Sequence, residues 1–308
     1  MMTRNEAAAW LAAHDNFCIL SHCRPDGDTV GSTAALCLGL RKMGKTAYIM
    51  ENSELSGRLS YLHEGLTKPM PEAGDTVVCV DVASRSRLCQ GAGELYIPLR
   101  IDHHCLAESF TDLELVDGDA AACGEIVYDV LTEMGVALDK AIAEALYVAV
   151  SSDTGCFRFA NTTASSFRLA AACAAAGAEI FPINQALFDT NSLTKLKIQG
   201  WIVENTRFFR DGQLALCAMP YAVEAEATPD DMDNLSGFLR SVEGVKLCAL
   251  LRESGDVVKL SVRAVPGWDA TAVCAPFGGG GHKGASGATL HMSLKEAEAA
   301  VEEMLLAL

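Results

Sequence analysis

Residues 19–32, ILSHCRPDGDTVGS, constrain the fold more than any other stretch of this chain. A short apolar run, Phe17-Cys18-Ile19-Leu20, gives way at once to His22, Asp26 and Asp28, and a long helical pattern follows. An apolar run of that length between polar residues reads as a buried strand, with Pro25 and Gly27 forcing a turn after it. The arrangement recurs. Runs at 46–50, 76–80 and 95–101 read as further strands, the third of the four delivering Asp81 and the last delivering Asp102, His103 and His104. Helical patterns fall between and after them, at 29–43, 120–134 and 140–151, the last leading into Ser152-Asp153-Thr154-Gly155. Strands alternating with helices predict an α/β fold with a doubly wound, mostly parallel sheet, in which ligands bind at the carboxyl ends of the strands.

At 308 residues the chain is long for one core, and two domains are expected. Helical spacing over 192–209 is interrupted by Gly200, which costs about 1 kcal/mol relative to alanine. We read this stretch as a helical linker. After Asp211-Gly212, strand-like runs at 213–218, 245–251 and 257–262 imply a smaller α+β domain. The expected division is 1–190, a linker over 191–211, and 212–308.

Several function classes are excluded. Forty acidic against 24 basic residues give a net charge of −16, which opposes binding a long polyanion through its phosphates. A small phosphorylated substrate held by metal ions remains compatible. No apolar run approaches the ~20 residues of a membrane span. The first residues, MMTRNEAAAWLAAHD, lack an uninterrupted apolar segment with a cleavage site, so a cytoplasmic location is expected. None of the 12 cysteines forms a C-x-x-C pair; Cys37, Cys79, Cys173 and Cys248 fall in apolar stretches, where a thiol packs as a small hydrophobe. The acidic group Glu224, Glu226, Asp230, Asp231 and Asp233, with Pro229, reads as a solvated loop and helix start. His14, His63 and His291 have no partner at ligand spacing and read as surface or core residues.

The strand and helix ends collect His22, Asp26, Asp28, Asp81, His103 and Asp153, with Asp102 and His104 beside them. Four crowded carboxylates repel unless cations neutralise them, and two divalent ions are the economical explanation. Mixed imidazole and carboxylate ligation suits Mn(II) better than Mg(II). Asp81, from a central strand, is a plausible bridge. In the second domain, Phe277-Gly278-Gly279-Gly280-Gly281-His282-Lys283-Gly284 reads as a binding loop whose N–H groups approach a phosphate or base closely. Arg263 on the preceding strand could grip a terminal phosphate.

Together, H-x-x-P-D-x-D-x-x-G-S (His22 to Ser32), Asp81 in VDVA, the triplet Asp102-His103-His104, Asp153 in SDTG and the GGGGH stretch resemble the DHH phosphoesterases, in order and over nearly the whole chain. The carboxy-terminal part resembles the DHH-associated domain. SDTGCFRFANTT and FGGGGHKGASGA point to the branch that degrades very short RNA and 3′-phosphoadenosine 5′-phosphate. The resemblance implies one metal on His22, Asp26 and Asp81 and a second on Asp28, Asp81, His103 and Asp153. It implies His104 near the scissile phosphate, Asp102 orienting its neighbours, and Arg158, Arg263, Gly280, Gly281 and His282 holding substrate across an interdomain cleft. Expected partners are short RNA oligonucleotides, 3′-phosphoadenosine 5′-phosphate, and linear or cyclic dinucleotides, with a homodimer as the expected assembly. A pyrophosphatase would need more basic residues than His282, Lys283 and Arg263. A non-catalytic nucleotide-binding regulator is disfavoured because every ligand-type residue is present.

Overall fold

All four residues of β1 (Phe17–Leu20) are buried, so the strand is covered on both faces and its sequence is an unbroken apolar run, not an alternating one. It lies in a parallel sheet with β2 (Ala47–Met50), β3 (Thr67–Lys68), β4 (Thr76–Val80), β5 (Leu99–Asp102) and β6 (Leu113–Val116), ordered β3-β2-β1-β4-β5-β6. The computed structural model describes residues 1–104, 109–232 and 234–308, so Asp233 falls outside it. The chain forms two compact units, Met1–Thr190 and Asn191–Leu308.

In the first unit the strand order reverses between β1 and β4, the switch point at which α/β sheets open a crevice. The helices are α1 (Arg4–Ala13), α2 (Gly27–Lys42), α3 (Cys123–Glu133), α4 (Lys140–Asp153) and α5 (Ala164–Ala175). α2 carries the crossover from β1 to β2 and packs, with α3 and α4, on the face presenting Phe17, Ile19, Val78, Val80, Leu99 and Ile101. The crossover from β4 to β5 runs over the opposite face, where Val82, Leu88, Cys89, Ala92 and Ile97 cover Cys18, Leu20, Tyr48 and Cys79. Moving outward from the centre in opposite directions, right-handed crossovers must take opposite faces, which makes the sheet doubly wound.

The structure departs from the sequence reading at the sheet's margins. β3 and β6 were not expected, and β5 starts at Leu99 because residues up to Pro98 pack as irregular cover. Gly27 is the first residue of α2 and has a role besides the turn: a Cβ there would lie 2.5 Å from Ser152 Oγ. At Gly31 a Cβ would lie 2.3 Å from the Ala145 carbonyl. The two glycines let α2 lie directly on α4, and the contact fixes Asp28 relative to Asp153.

The second unit holds a six-stranded sheet ordered β11-β12-β10-β9-β8-β7. Its strands are β7 (Arg207–Phe209), β8 (Leu214–Met219), β9 (Leu247–Ser254), β10 (Val257–Ala264), β11 (Gly280–His282) and β12 (Ala285–Leu290); β8 and β9 are parallel and the remaining pairs antiparallel. The helix over Leu294–Ala307 covers one face through Ala297, Val301 and Leu305. The helix over Leu193–Asn205 sets Ile198 and Ile202 against Ala215, Cys217 and Leu235 on the other. Within the acidic group, Asp231 is buried and accepts hydrogen bonds from the Thr228 N–H and hydroxyl, both at 2.8 Å, and Glu224 pairs with Arg252 at 2.8 Å. These two are structural, not solvated. The described cysteines are unpaired; burial pushes the thiol pKa of Cys37 and Cys248 up to about 11 and of Cys173 to about 12. Among the described residues no helix is long and apolar enough to cross a membrane.

Candidate metal centre

At the switch point, the ends of β1, β4 and β5 and of α4 bring six expected side chains together. Donor atoms of His22, Asp26 and Asp81 lie within 4.8 Å of one another, as do those of Asp28, His103 and Asp153, and those of Asp81, His103 and His104. Asp81 and His103 each belong to two of these groups, so the groups form one continuous cluster.

Three of the four carboxylates are held from behind. Asp26 is the N-cap of α2 and accepts the Thr29 N–H at 3.1 Å. Asp28 is 1% exposed and accepts from the Cys123 and Gly124 amides at 2.6 and 3.0 Å, so a residue of α2 caps α3, whose own N-cap Ala122 cannot. Both aspartates thus cap helices, Asp26 its own and Asp28 a neighbouring one, and each still has a carboxylate oxygen within the cluster. Asp81 sits at the end of β4 with φ +61°, a conformation sparsely populated by non-glycine residues. Its Oδ2 accepts the Thr29 hydroxyl at 2.5 Å, while the buried Oδ1 has no hydrogen-bond donor among the described residues.

The imidazoles show what the cluster is suited to hold. His22 Nδ1 lies 2.6 Å from the Cys23 carbonyl and His103 Nδ1 lies 3.3 Å from the Ala120 carbonyl. A carbonyl only accepts, so both Nδ1 atoms carry the hydrogen, and in the neutral rings both Nε2 atoms present lone pairs. Those lone pairs face negative oxygens. His22 Nε2 is 3.8 Å from both Asp26 Oδ2 and Asp81 Oδ2, and His103 Nε2 is 3.5 Å from Asp81 Oδ1, 3.5 Å from Asp153 Oδ2 and 3.7 Å from Asp28 Oδ2. Lone pairs converging on carboxylates repel unless positive charge stands between them. The orphaned Asp81 Oδ1 makes the same demand. An imidazole donating its other N–H to a carbonyl is the usual arrangement of a metal-bound histidine, and the donor set suits divalent cations.

Titration points the same way. Burial, with the charges of Asp81, Asp153 and Asp26 added, raises the Asp28 pKa well above the ordinary carboxylate value. Burial and the charges of Asp26 and Asp81 push Asp153 up to about 8. Burial would lower His22, but its contact with Asp26 and the nearby charges more than reverse this. The cluster takes up protons where cations are absent.

Beside the cluster, Asp102 Oδ1 accepts from the His103 and His104 amides at 2.8 and 3.2 Å and from His104 Nδ1 at 2.8 Å, and that last bond raises His104 to about 9. Behind it stands Arg100, 2% exposed, 3.8 Å from Asp102 Oδ2 and 3.3 Å from Glu114. The sequence reading missed Arg100. The signal was present, because alternation in Leu99-Arg100-Ile101-Asp102 puts residues 100 and 102 on one face of β5.

The remaining expected residues occupy two places. Arg158 closes the turn after α4, its Nε donating to the Gly155 carbonyl at 2.6 Å. In the second unit the glycine stretch is not a free loop: Gly280–His282 is edge strand β11, paired with β12. A Cβ at Gly281 would meet the Ala285 carbonyl at 2.5 Å, so this glycine permits strand pairing, whereas a Cβ at Gly280 meets nothing. His282 pairs with Ala285, which pairs with Arg263, so both side chains share one face with a small residue between them.

Known proteins give the same picture. Residues 16–150 match the DHH family, N-terminal domain, and residues 213–307 match the DHHA1 domain. A bifunctional oligoribonuclease and PAP phosphatase, NrnA, of Thermus thermophilus is 32% identical over 274 residues, covering 88% of this chain and 83% of that protein. The crystal structure of an exopolyphosphatase-related protein from Bacteroides fragilis superimposes with a TM-score of 0.86 at 22% identity, over 99% of this chain and 95% of that one. Exonuclease RecJ bound to manganese shares the fold with a TM-score of 0.53 at 13% identity, over 98% and 94% of the two chains. With both domain matches in order and a relative this similar over most of its length, the chain belongs to the DHH phosphoesterase family.

Proposed function

We propose that this protein hydrolyses phosphoester bonds in very short RNA oligonucleotides, linear dinucleotides included, and converts 3′-phosphoadenosine 5′-phosphate to AMP and phosphate. The observation that carries the reading is the pair of Nε2 lone pairs, that of His22 facing the carboxylates of Asp26 and Asp81 and that of His103 facing those of Asp28, Asp81 and Asp153. The name of the Thermus thermophilus relative, an oligoribonuclease and PAP phosphatase, supports the substrate class. His22, Asp26 and Asp81 would hold one cation, and Asp28, Asp81, His103 and Asp153 the other. Mixed imidazole and carboxylate donors favour Mn(II), and RecJ, a fold relative, was crystallised with manganese. Bound there, two such ions would supply Lewis-acid activation of water and neutralise charge developing on the phosphoryl oxygens.

The chain's own residues do the rest. Asp102 fixes the His104 ring through Nδ1, leaving the Nε2 side for the substrate phosphate. Within the first unit Arg158, and within the second Arg263, His282 and the backbone of Gly280 and Gly281, are the proposed groups for substrate phosphates and sugars. The net charge of −16 disfavours long nucleic acid. A cytoplasmic homodimer completes the reading.

The test is turnover in Mn(II) of a dinucleotide, a five-nucleotide RNA, 3′-phosphoadenosine 5′-phosphate and a cyclic dinucleotide. We expect cleavage of the dinucleotide and of 3′-phosphoadenosine 5′-phosphate, abolished in folded Asp81→Ala and His103→Ala. Absence of both activities in the wild type overturns the substrate assignment, and undiminished turnover in either variant overturns the two-metal site. Gly280→Ala adds a steric probe: nothing in the fold opposes the methyl group, so a raised KM at unchanged stability would mark contact with substrate.

A further inference from the structure

The segment after Asp153 is built unlike an ordinary helix end. Gly155, Cys156 and Phe157 take successive left-handed φ values of +56, +57 and +61°. Two of them are not glycine and one is a bulky aromatic, a conformation that persists only where the surroundings enforce it. Here they do. Phe157 stacks on Phe167 with ring centroids 5.3 Å apart and tilts against Tyr147 at 6.1 Å. Asn161 Nδ2 donates to the Ala121 and Asp153 carbonyls, each at 3.1 Å.

This held turn leaves the next aromatic facing outward. Phe159 is 45% exposed, yet its ring is not loose: it lies against Gly155, where a Cβ would come within 2.3 Å of Cζ. A chain advances at most ~3.5 Å per residue, so Gly155 lies within about 7 Å of Asp153 along the backbone. The Asp153 carboxylate is itself 3.5 Å from His103 Nε2. An exposed aromatic ring, seated on a glycine and fixed by a strained turn, therefore lies close along the backbone to a residue of the candidate metal centre. Scattered exposed phenylalanines are ordinary. This one differs in being positioned by the same short segment that supplies a carboxylate to the cluster.

We propose that Phe159 is the stacking platform for a nucleobase of the substrate whose phosphate sits at the centre. A base is held one ribose from its phosphate, and Phe159 is one short turn from Asp153. Every base has a π-face, so such a platform accepts any sequence while rejecting base-free phosphoesters, and the larger purines stack better than pyrimidines. A ring already fixed in place loses little freedom when a base settles on it. The inference rests on the reading of the protein as a hydrolase of short RNA, and it assigns a residue that sets the substrate class.

The experiment compares wild type with Phe159→Ala, Phe159→Leu and Phe159→Trp in Mn(II), on ApA, UpU and the abasic tetrahydrofuran analogue of the dinucleotide. Phe159→Ala should raise KM for ApA about tenfold, raise it less for UpU, and leave kcat/KM for the abasic analogue unchanged. Phe159→Leu, which keeps apolar bulk without a π-face, should behave as alanine does, and Phe159→Trp should restore tight ApA binding. An unchanged KM for ApA in Phe159→Ala overturns the inference. An equal loss on the abasic analogue, or rescue by leucine, also overturns it by showing that the ring only props the turn. Failure of the wild type to cleave ApA removes dinucleotides from the proposed substrates and overturns the inference with them, while the 3′-phosphoadenosine 5′-phosphate activity is read separately.

Discussion

At the scale of single residues, the centre depends on groups that never enter it. Arg100 is buried between Asp102 and Glu114, and also lies near the Val82 and Ala83 carbonyls. Removing one partner of a buried ion pair strands the other, at a cost of about 3–5 kcal/mol. Arg100→Met should therefore lower the urea-unfolding free energy by that order, far more than the loss of an exposed pair, which is worth about 1 kcal/mol or less. A change below 1 kcal/mol would show that Asp102 is stabilised by other means. His63 gives a pH prediction away from the site. Its Nε2 lies 3.2 Å from the Val30 carbonyl and 3.0 Å from the Thr33 hydroxyl, and burial holds its pKa below the ordinary 6.5. An unfolded chain takes up that proton first, so the stability His63 contributes is complete above pH 6.5 and declines as pH falls from there toward the folded value. Melting temperatures from pH 7.5 to 5 should drop more steeply for wild type than for His63→Gln, and parallel curves would contradict this.

At the scale of elements, glycine at the α2–α4 contact decides whether donors on two helices meet. In an exposed helix, Gly→Ala gains about 1 kcal/mol of helix propensity. At Gly31 the added methyl would sit 2.3 Å from the Ala145 carbonyl and 2.8 Å from the Ala149 nitrogen, backbone atoms that cannot rotate away. Overpacking of this kind costs about 1–3 kcal/mol, so Gly31→Ala should destabilise the protein in thermal unfolding and lower activity by shifting Asp28 against Asp153. A stabilised variant would refute the packing argument. The elements also mark where the sequence was legible. β1 and β4 are buried on both faces, and their unbroken apolar runs announced them along with the ligands at their ends. β3, only Thr67–Lys68, and β6, with Glu114 turned to Arg100, lie toward the sheet's edges and carry too little apolar patterning to register. The glycine stretch resembled a loop because glycine signals a loop and a close strand pairing alike. The positions of His22 and His103 could be read from the sequence. Their lone pairs could not, since the Cys23 and Ala120 carbonyls that set the tautomers are known only from the fold.

At the scale of the whole molecule, the cluster predicts that stability rises when cations bind. Four carboxylates and two imidazoles are brought together only in the folded state, so Mn(II) should bind the native protein in preference to the unfolded chain. At a hundredfold excess over Kd such a ligand adds about 2.7 kcal/mol, a rise of roughly 5–10 °C in melting temperature for a unit of this size. Calorimetry with Mn(II) should show this rise, a chelator should reverse it, and an unshifted transition would count against a cation site. The shared use of Asp28 carries the effect further. The carboxylate that faces His103 also receives the Cys123 and Gly124 amides, so any charge arriving at the centre polarises the first turn of α3. Two backbone resonances in a nuclear magnetic resonance spectrum, on a helix that supplies none of the proposed ligands, would then report whether the enzyme is loaded.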